Sequence, residues 1–135
     1  MKNILQLLVA FIFTLLSINL YADDMSSEKL IKERKGIFKQ NYSYAKKMSS
    51  EIAKGNKEAV SDLATKMSQN YEALINYFPE NTKTGYETEA LPSVWEEKEL
   101  FNELMNKASK DANDFAMIVM NLMGDDLKES QKKMI

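Results

Sequence analysis

Phe78–Trp95, FPENTKTGYETEALPSVW, is the stretch that decides the fold. It interrupts an otherwise helical pattern and holds both prolines of the chain, Pro79 and Pro92, and one of its four glycines, Gly85. Proline lacks an amide hydrogen and fixes φ, so neither flanking helix can run through. A connection of about 15 residues exceeds the roughly 2–8 that join neighbouring antiparallel helices. The stretch therefore reads as a crossover between helices. Phe78 anchors it on one side, and Leu91, Val94 and Trp95 anchor it on the other.

The flanks carry the helical period. Upstream, Ser26–Ala53 predicts helix one, capped by Ser26 or Ser27 and ended by Lys54-Gly55-Asn56. Its apolar stripe steps by three and four through Ile31, Arg34, Phe38, Asn41, Ala45, Met48 and Ile52. Helix two, Lys57–Phe78, keeps the same spacing through Val60, Leu63, Met67, Tyr71, Leu74 and Phe78. Downstream, Ser93 with Glu96 fits a capping box for helix three. That helix runs to about Met123 with Phe101, Leu104, Ala108, Ala112, Phe115, Val119 and Leu122 on one face. Gly124-Asp125 is a turn, and Asp126–Ile135 reads as a short fourth helix. No β-alternation or repeat is present. The fold class is all-α, an antiparallel four-helix bundle packed at about 20°. The shortened fourth helix leaves part of the seam for a homodimer or another protein partner to cover.

The chain begins MKNILQLLVAFIFTLLSINLYADD. A basic start, an apolar centre and a small residue before two acids predict a secretory signal peptide over residues 1–22, cut after Ala22. Residues 23–135 form the domain, located in the periplasm and free of the membrane after cleavage. Removing 22 residues from 135 leaves 113, enough for one core. The formal net charge is −2, and no basic patch suggests nucleic-acid binding. Cysteine and histidine both number 0. That excludes thiolate and imidazole chemistry, disulfides, and the usual zinc or type-1 copper ligand sets. The sequence carries no Ser–His–Asp set and no phosphate-cradling glycine loop, so no enzyme is expected.

Phe78-Pro79, then Thr88, Ala90, Pro92 and Trp95, then Phe101, resemble the pattern F-P, loop, T-x-A-x-P-x-x-W, F of the cytochrome c-prime family of periplasmic four-helix haem proteins. Arg34 with Phe38 four residues on, Ala108, Ala112, Phe115 and Gly124-Asp125 extend the likeness over most of Leu30–Asp125. The resemblance implies the scaffold, the compartment and a haem pocket at Arg34, Phe38 and Trp95, with electron transfer as the family role. The family's C-x-x-C-H, which fixes haem covalently and supplies the proximal ligand, is missing. It would fall past Ile135, or, in a tighter alignment, on Leu127, Ser130 and Gln131. Covalent haem cannot form without thiols.

Three functional readings follow. One is a haem-free binding or interaction protein, dimeric through helices one and two. Another is an electron-transfer cytochrome truncated in its fourth helix. The third is a non-covalent haem or Cu(I) binder using methionine. For the last, Met48, Met67, Met105 and Met134 are candidate haem ligands, and Met117, Met120 and Met123 offer thioethers to Cu(I). Their plain reading is core filling. Arg34, the single arginine, either binds a carboxylate in bidentate fashion or is an inherited residue that snorkels or pairs with a glutamate.

Overall fold

In the computed structural model, residues 2–122 are described, with Asp126 and Glu129, and side chains are described from Ser27 onward. Among the described residues the α-helical elements are α1 (Lys2–Lys54), α2 (Lys57–Leu74), α3 (Ser93–Glu96) and α4 (Lys98–Asn121). No strand occurs among the described residues. Within those residues, no helix is long and apolar enough to cross a membrane. α2 packs along α4 and along α1, so it is the central member of the three long helices.

The turn between α1 and α2 forms as its residues dictate. Gly55 takes φ 74 just past the end of α1, a conformation that costs glycine nothing. The Asn56 carboxamide oxygen then accepts from the Ala59 amide and caps α2. Several boundaries differ from the sequence reading. α1 runs unbroken through Ser26 and Ser27, so neither serine caps its start. α2 stops at Leu74 and tightens into a 3₁₀ turn over Ile75–Tyr77, because Pro79 prevents α-helical continuation. No capping box forms at Ser93. Pro92 is itself helical, and its carbonyl accepts from Trp95 and Glu96. The helix expected from Ser93 to Met123 is broken at Glu97, which has φ −117 and ψ 47, and α4 ends at Asn121. The fourth helix, Asp126–Ile135, lies outside the described residues apart from Asp126 and Glu129, both helical.

Apolar burial concentrates at the two ends. At the crossover end Leu74, Phe78 and Trp95 gather Ile37, Tyr71, Phe101 and Met105 around them. At the far end Val60 and Val119 pack with Met48, Ile52 and Leu122. The middle is polar: Asn41 meets Asn70, and Ser68 meets Ser109. The stripes are thus narrower than the spacing alone suggests. Phe38, Leu104 and Phe115 were placed on the seam but are exposed, as is Ala45. Three long helices wall off only part of each stripe.

Candidate functional site

The crossover is built around Arg34. Its side chain is 3% exposed, on the face of α1 toward residues 77–95. After Pro79, Glu80–Thr82 makes a single 3₁₀ turn that buries Thr82 completely. The Thr82 hydroxyl donates to the Pro79 carbonyl at 2.8 Å and accepts from Arg34 Nη1 at 2.9 Å. Nη1 also donates to the Tyr77 carbonyl at 3.2 Å. Nη2 donates to the Thr82 carbonyl at 3.1 Å and to Thr88 Oγ1 at 2.5 Å. All four terminal N–H groups of the guanidinium are thereby engaged by neutral oxygens of one loop. A planar fork with fixed donors suits this better than an ammonium would. Pairing with a glutamate, one of the alternatives for Arg34, does not occur among the described residues. The reason is geometric: the loop wraps over the arginine and brings its own carbonyls and threonine hydroxyls into reach.

Aromatic rings complete the enclosure. The Arg34 guanidinium carbon lies 4.5 Å from the Phe78 ring centroid and 5.6 Å from that of Trp95. Phe78 meets Trp95 edge-on at 5.9 Å and Phe101 at 4.7 Å, a favoured arrangement for ring quadrupoles. Trp95 Nε1 donates to the Pro79 carbonyl at 3.1 Å. The break at Glu97 serves this packing, since Trp95 before it and Phe101 after it both reach Phe78. Lys98 also sits here, donating to the Phe78 carbonyl at 3.1 Å, with its ammonium 5.2 Å from the Phe101 ring. Desolvation lowers the Lys98 ammonium below its ordinary value; Glu80 opposes the shift and Arg34 adds to it. Burial likewise lowers the Arg34 guanidinium, which stays charged at any ordinary pH.

Beside this network opens a cleft of about 400 Å³. Phe38, Phe78, Ala90, Val94 and Phe101 form its apolar wall. Arg34, Lys35 and Glu89 supply its ionisable groups. Lys35 comes from α1 and Glu89 from the crossover, and the two approach to 3.6 Å across the rim.

The structure places Arg34 and Phe38 on one cleft, with Trp95 one layer below. Phe38, on the predicted stripe of helix one, is 43% exposed and lines the cleft. Nothing in the sequence marks Thr82, Lys35 or Glu89 as site residues, and Lys98 reads there as part of a solvated helix start with Glu96, Glu97 and Glu99. Thr88 stood in the quoted motif, but nothing in the sequence tied it to Arg34. Met117 and Met120 are 54% and 44% exposed on α4, and Met123 lies outside the described residues. Met48 and Met105 pack into the two apolar clusters, Met67 is half-buried, and Met134 lies outside the described residues. Among the described residues, no group of three or more carboxylates could hold a metal ion.

Comparison with known proteins agrees with this architecture. A curated relative, "Cytochrome c'" of Rhodopseudomonas palustris (strain ATCC BAA-98 / CGA009), is 32% identical over 81 residues. That match covers 58% of this chain and 56% of the relative, so it spans little more than half of either protein. No solved structure matches significantly. The family described as "Cytochrome C'" matches residues 29–134, from the first turn of α1 with described side chains past the end of α4. With that match covering most of its length, the chain belongs to the cytochrome c-prime family.

Proposed function

We propose that this chain is an exported, haem-free member of its family that holds a small ligand in the cleft beside Arg34. The observation that carries the reading is the engagement of all four terminal Arg34 N–H groups by the crossover, next to an apolar cleft of about 400 Å³. Haem is the cofactor the family implies, and the residues present do not fit it. Covalent attachment needs thiols, and the usual proximal ligand is an imidazole. These 135 residues contain neither cysteine nor histidine. The arginine that could meet a propionate is already saturated by Thr82, Thr88 and Tyr77, apart from Nε. None of the methionines with described side chains lines the cleft. The cleft volume falls within the roughly 300–1,000 Å³ typical of small-molecule sites.

Export to the periplasm, with the signal peptide removed after Ala22, is part of the same reading. It rests on the basic-apolar-small order of residues 1–22. So is a second copy or another protein covering the helix seam, where Leu104 and Phe115 of α4 are exposed.

An absorption spectrum of the protein from the periplasm of a haem-attaching host, followed by hemin titration, tests the reading. A featureless visible spectrum and no saturable hemin binding at micromolar concentration are expected. A Soret band, native or gained stoichiometrically, would overturn it.

A further inference from the structure

We propose that the cleft selects small amphipathic anions, those with an apolar body and a single carboxylate or sulfonate, and that Lys35 is the residue that anchors the anionic head. This deepens the haem-free reading and rests on it. Among the described residues, three ionisable groups line the cleft: Arg34, Lys35 and Glu89. Their balance is positive. Arg34 is buried, permanently charged and bonded only to neutral oxygens, so no carboxylate is paired with it. Apolar walls screen that field less than water would. The four terminal N–H groups of Arg34 are committed to the crossover, so Arg34 attracts an anion without being free to grip it.

Lys35 is free to do so. Its ammonium donates to the Glu87 carbonyl at 3.0 Å and stands 3.6 Å from the Glu89 carboxylate. An ammonium has three donors, and the ion pair with Glu89 is exposed: the Glu89 side chain is 86% accessible. Such an exposed pair is weak and readily exchanged. A ligand head group can therefore replace Glu89 as the partner of Lys35 while Glu89 swings into water. The ligand's apolar body would then lie against Phe38, Val94 and Phe101. Glu89 acts as an exchangeable stand-in for the ligand's own charge.

The test compares two fluorescent probes of similar apolar body on the haem-free protein: anionic 1-anilinonaphthalene-8-sulfonate and neutral N-phenyl-1-naphthylamine. The anionic probe should bind saturably, at one site per chain. Lys35→Glu should weaken it about tenfold, through one attraction lost and one repulsion gained, and leave the neutral probe unchanged. Glu89→Gln should tighten the anionic probe by about two- to fivefold. Phe38→Ser, at an exposed wall position that the fold tolerates, should weaken both probes. Equal responses of the two probes to Lys35→Glu would overturn the proposal, as would an anionic probe indifferent to Phe38→Ser. Neither outcome depends on hemin, so loss of this proposal and loss of the haem-free reading are read separately.

Discussion

Arg34 has more polar contacts than any other described side chain, and its replacement separates charge from geometry. Arg34→Lys keeps the cation but cannot reach Tyr77, Thr82 and Thr88 together. Hydrogen bonds from a charged donor contribute about 1.5–3 kcal/mol each and do not add fully. Arg34→Lys should therefore lower stability by about 2 kcal/mol and Arg34→Met by about 3, read as the shift in urea midpoint. Equal midpoints for wild type and Arg34→Lys would show that the fork geometry is immaterial. Lys98 makes a prediction in pH. Desolvation holds its folded-state value below the ordinary 10.5. Between the two values the unfolded chain binds more protons, so stability rises with pH across that window. Below the window the penalty of the buried charge is present in full. Lys98→Gln removes the charge and retains a donor for the Phe78 carbonyl. The stability of wild type relative to this variant should climb as pH approaches 10.5, and a flat difference would refute the assignment. The stripe spacing puts Arg34 on the inward face of helix one, where it is buried. Its partners were not legible, because Thr82 and Thr88 reach it only through the path the loop takes.

That path belongs to the element. Gly85, Tyr86 and Glu87 all have positive φ, at 84, 48 and 56. Glycine accepts this freely, whereas L-residues with a Cβ incur about 1–2 kcal/mol each. The run reverses the chain, closes with the Thr88 amide on the Gly85 carbonyl at 3.0 Å, and presents Thr88 Oγ1 to Arg34. Local strain is thus balanced by a buried charged hydrogen bond. Glu87→Gly relieves one strained position and keeps the carbonyl that Lys35 uses. After the extra flexibility of unfolded glycine is subtracted, a gain of about 0.5–1 kcal/mol is expected in thermal or urea unfolding. A loss would show that the Glu87 side chain matters more than its backbone. The prolines announced a crossover and located its ends well. They did not announce the left-handed run, since tyrosine and glutamate give no turn signal. The break at Glu97 was equally hidden: SVWEEKELF has ordinary helical composition, and only the joint demand of Trp95 and Phe101 for Phe78 splits it.

At the scale of the whole molecule, two apolar clusters are joined through a polar middle. The stripe spacing correctly foresaw an all-α bundle and put Asn41 on the inner face, but periodicity cannot say how an inward polar residue is satisfied. Asn41 is 5% exposed; its carbonyl oxygen accepts from Asn70 Nδ2 at 2.8 Å, while its own Nδ2 is buried without a partner. A buried donor left unpaired costs about 1–3 kcal/mol, more than one neutral hydrogen bond returns. Ser68 and Ser109 add a second polar contact in this middle region, at 3.0 Å between hydroxyls. Asn41→Leu removes the unpaired donor and adds apolar volume between the clusters. Its one loss is the acceptor for Asn70, whose half-exposed amide remains near Gln40 Oε1 at 3.5 Å. The balance favours the variant, and its urea midpoint should rise by an amount equivalent to about 1 kcal/mol. The two clusters should also unfold more nearly together, seen as protection from hydrogen exchange extending through residues 41–45 and 64–70. A lower midpoint would mean that the Asn41–Asn70 bond sets the register of α1 against α2 strongly enough to outweigh the orphaned donor.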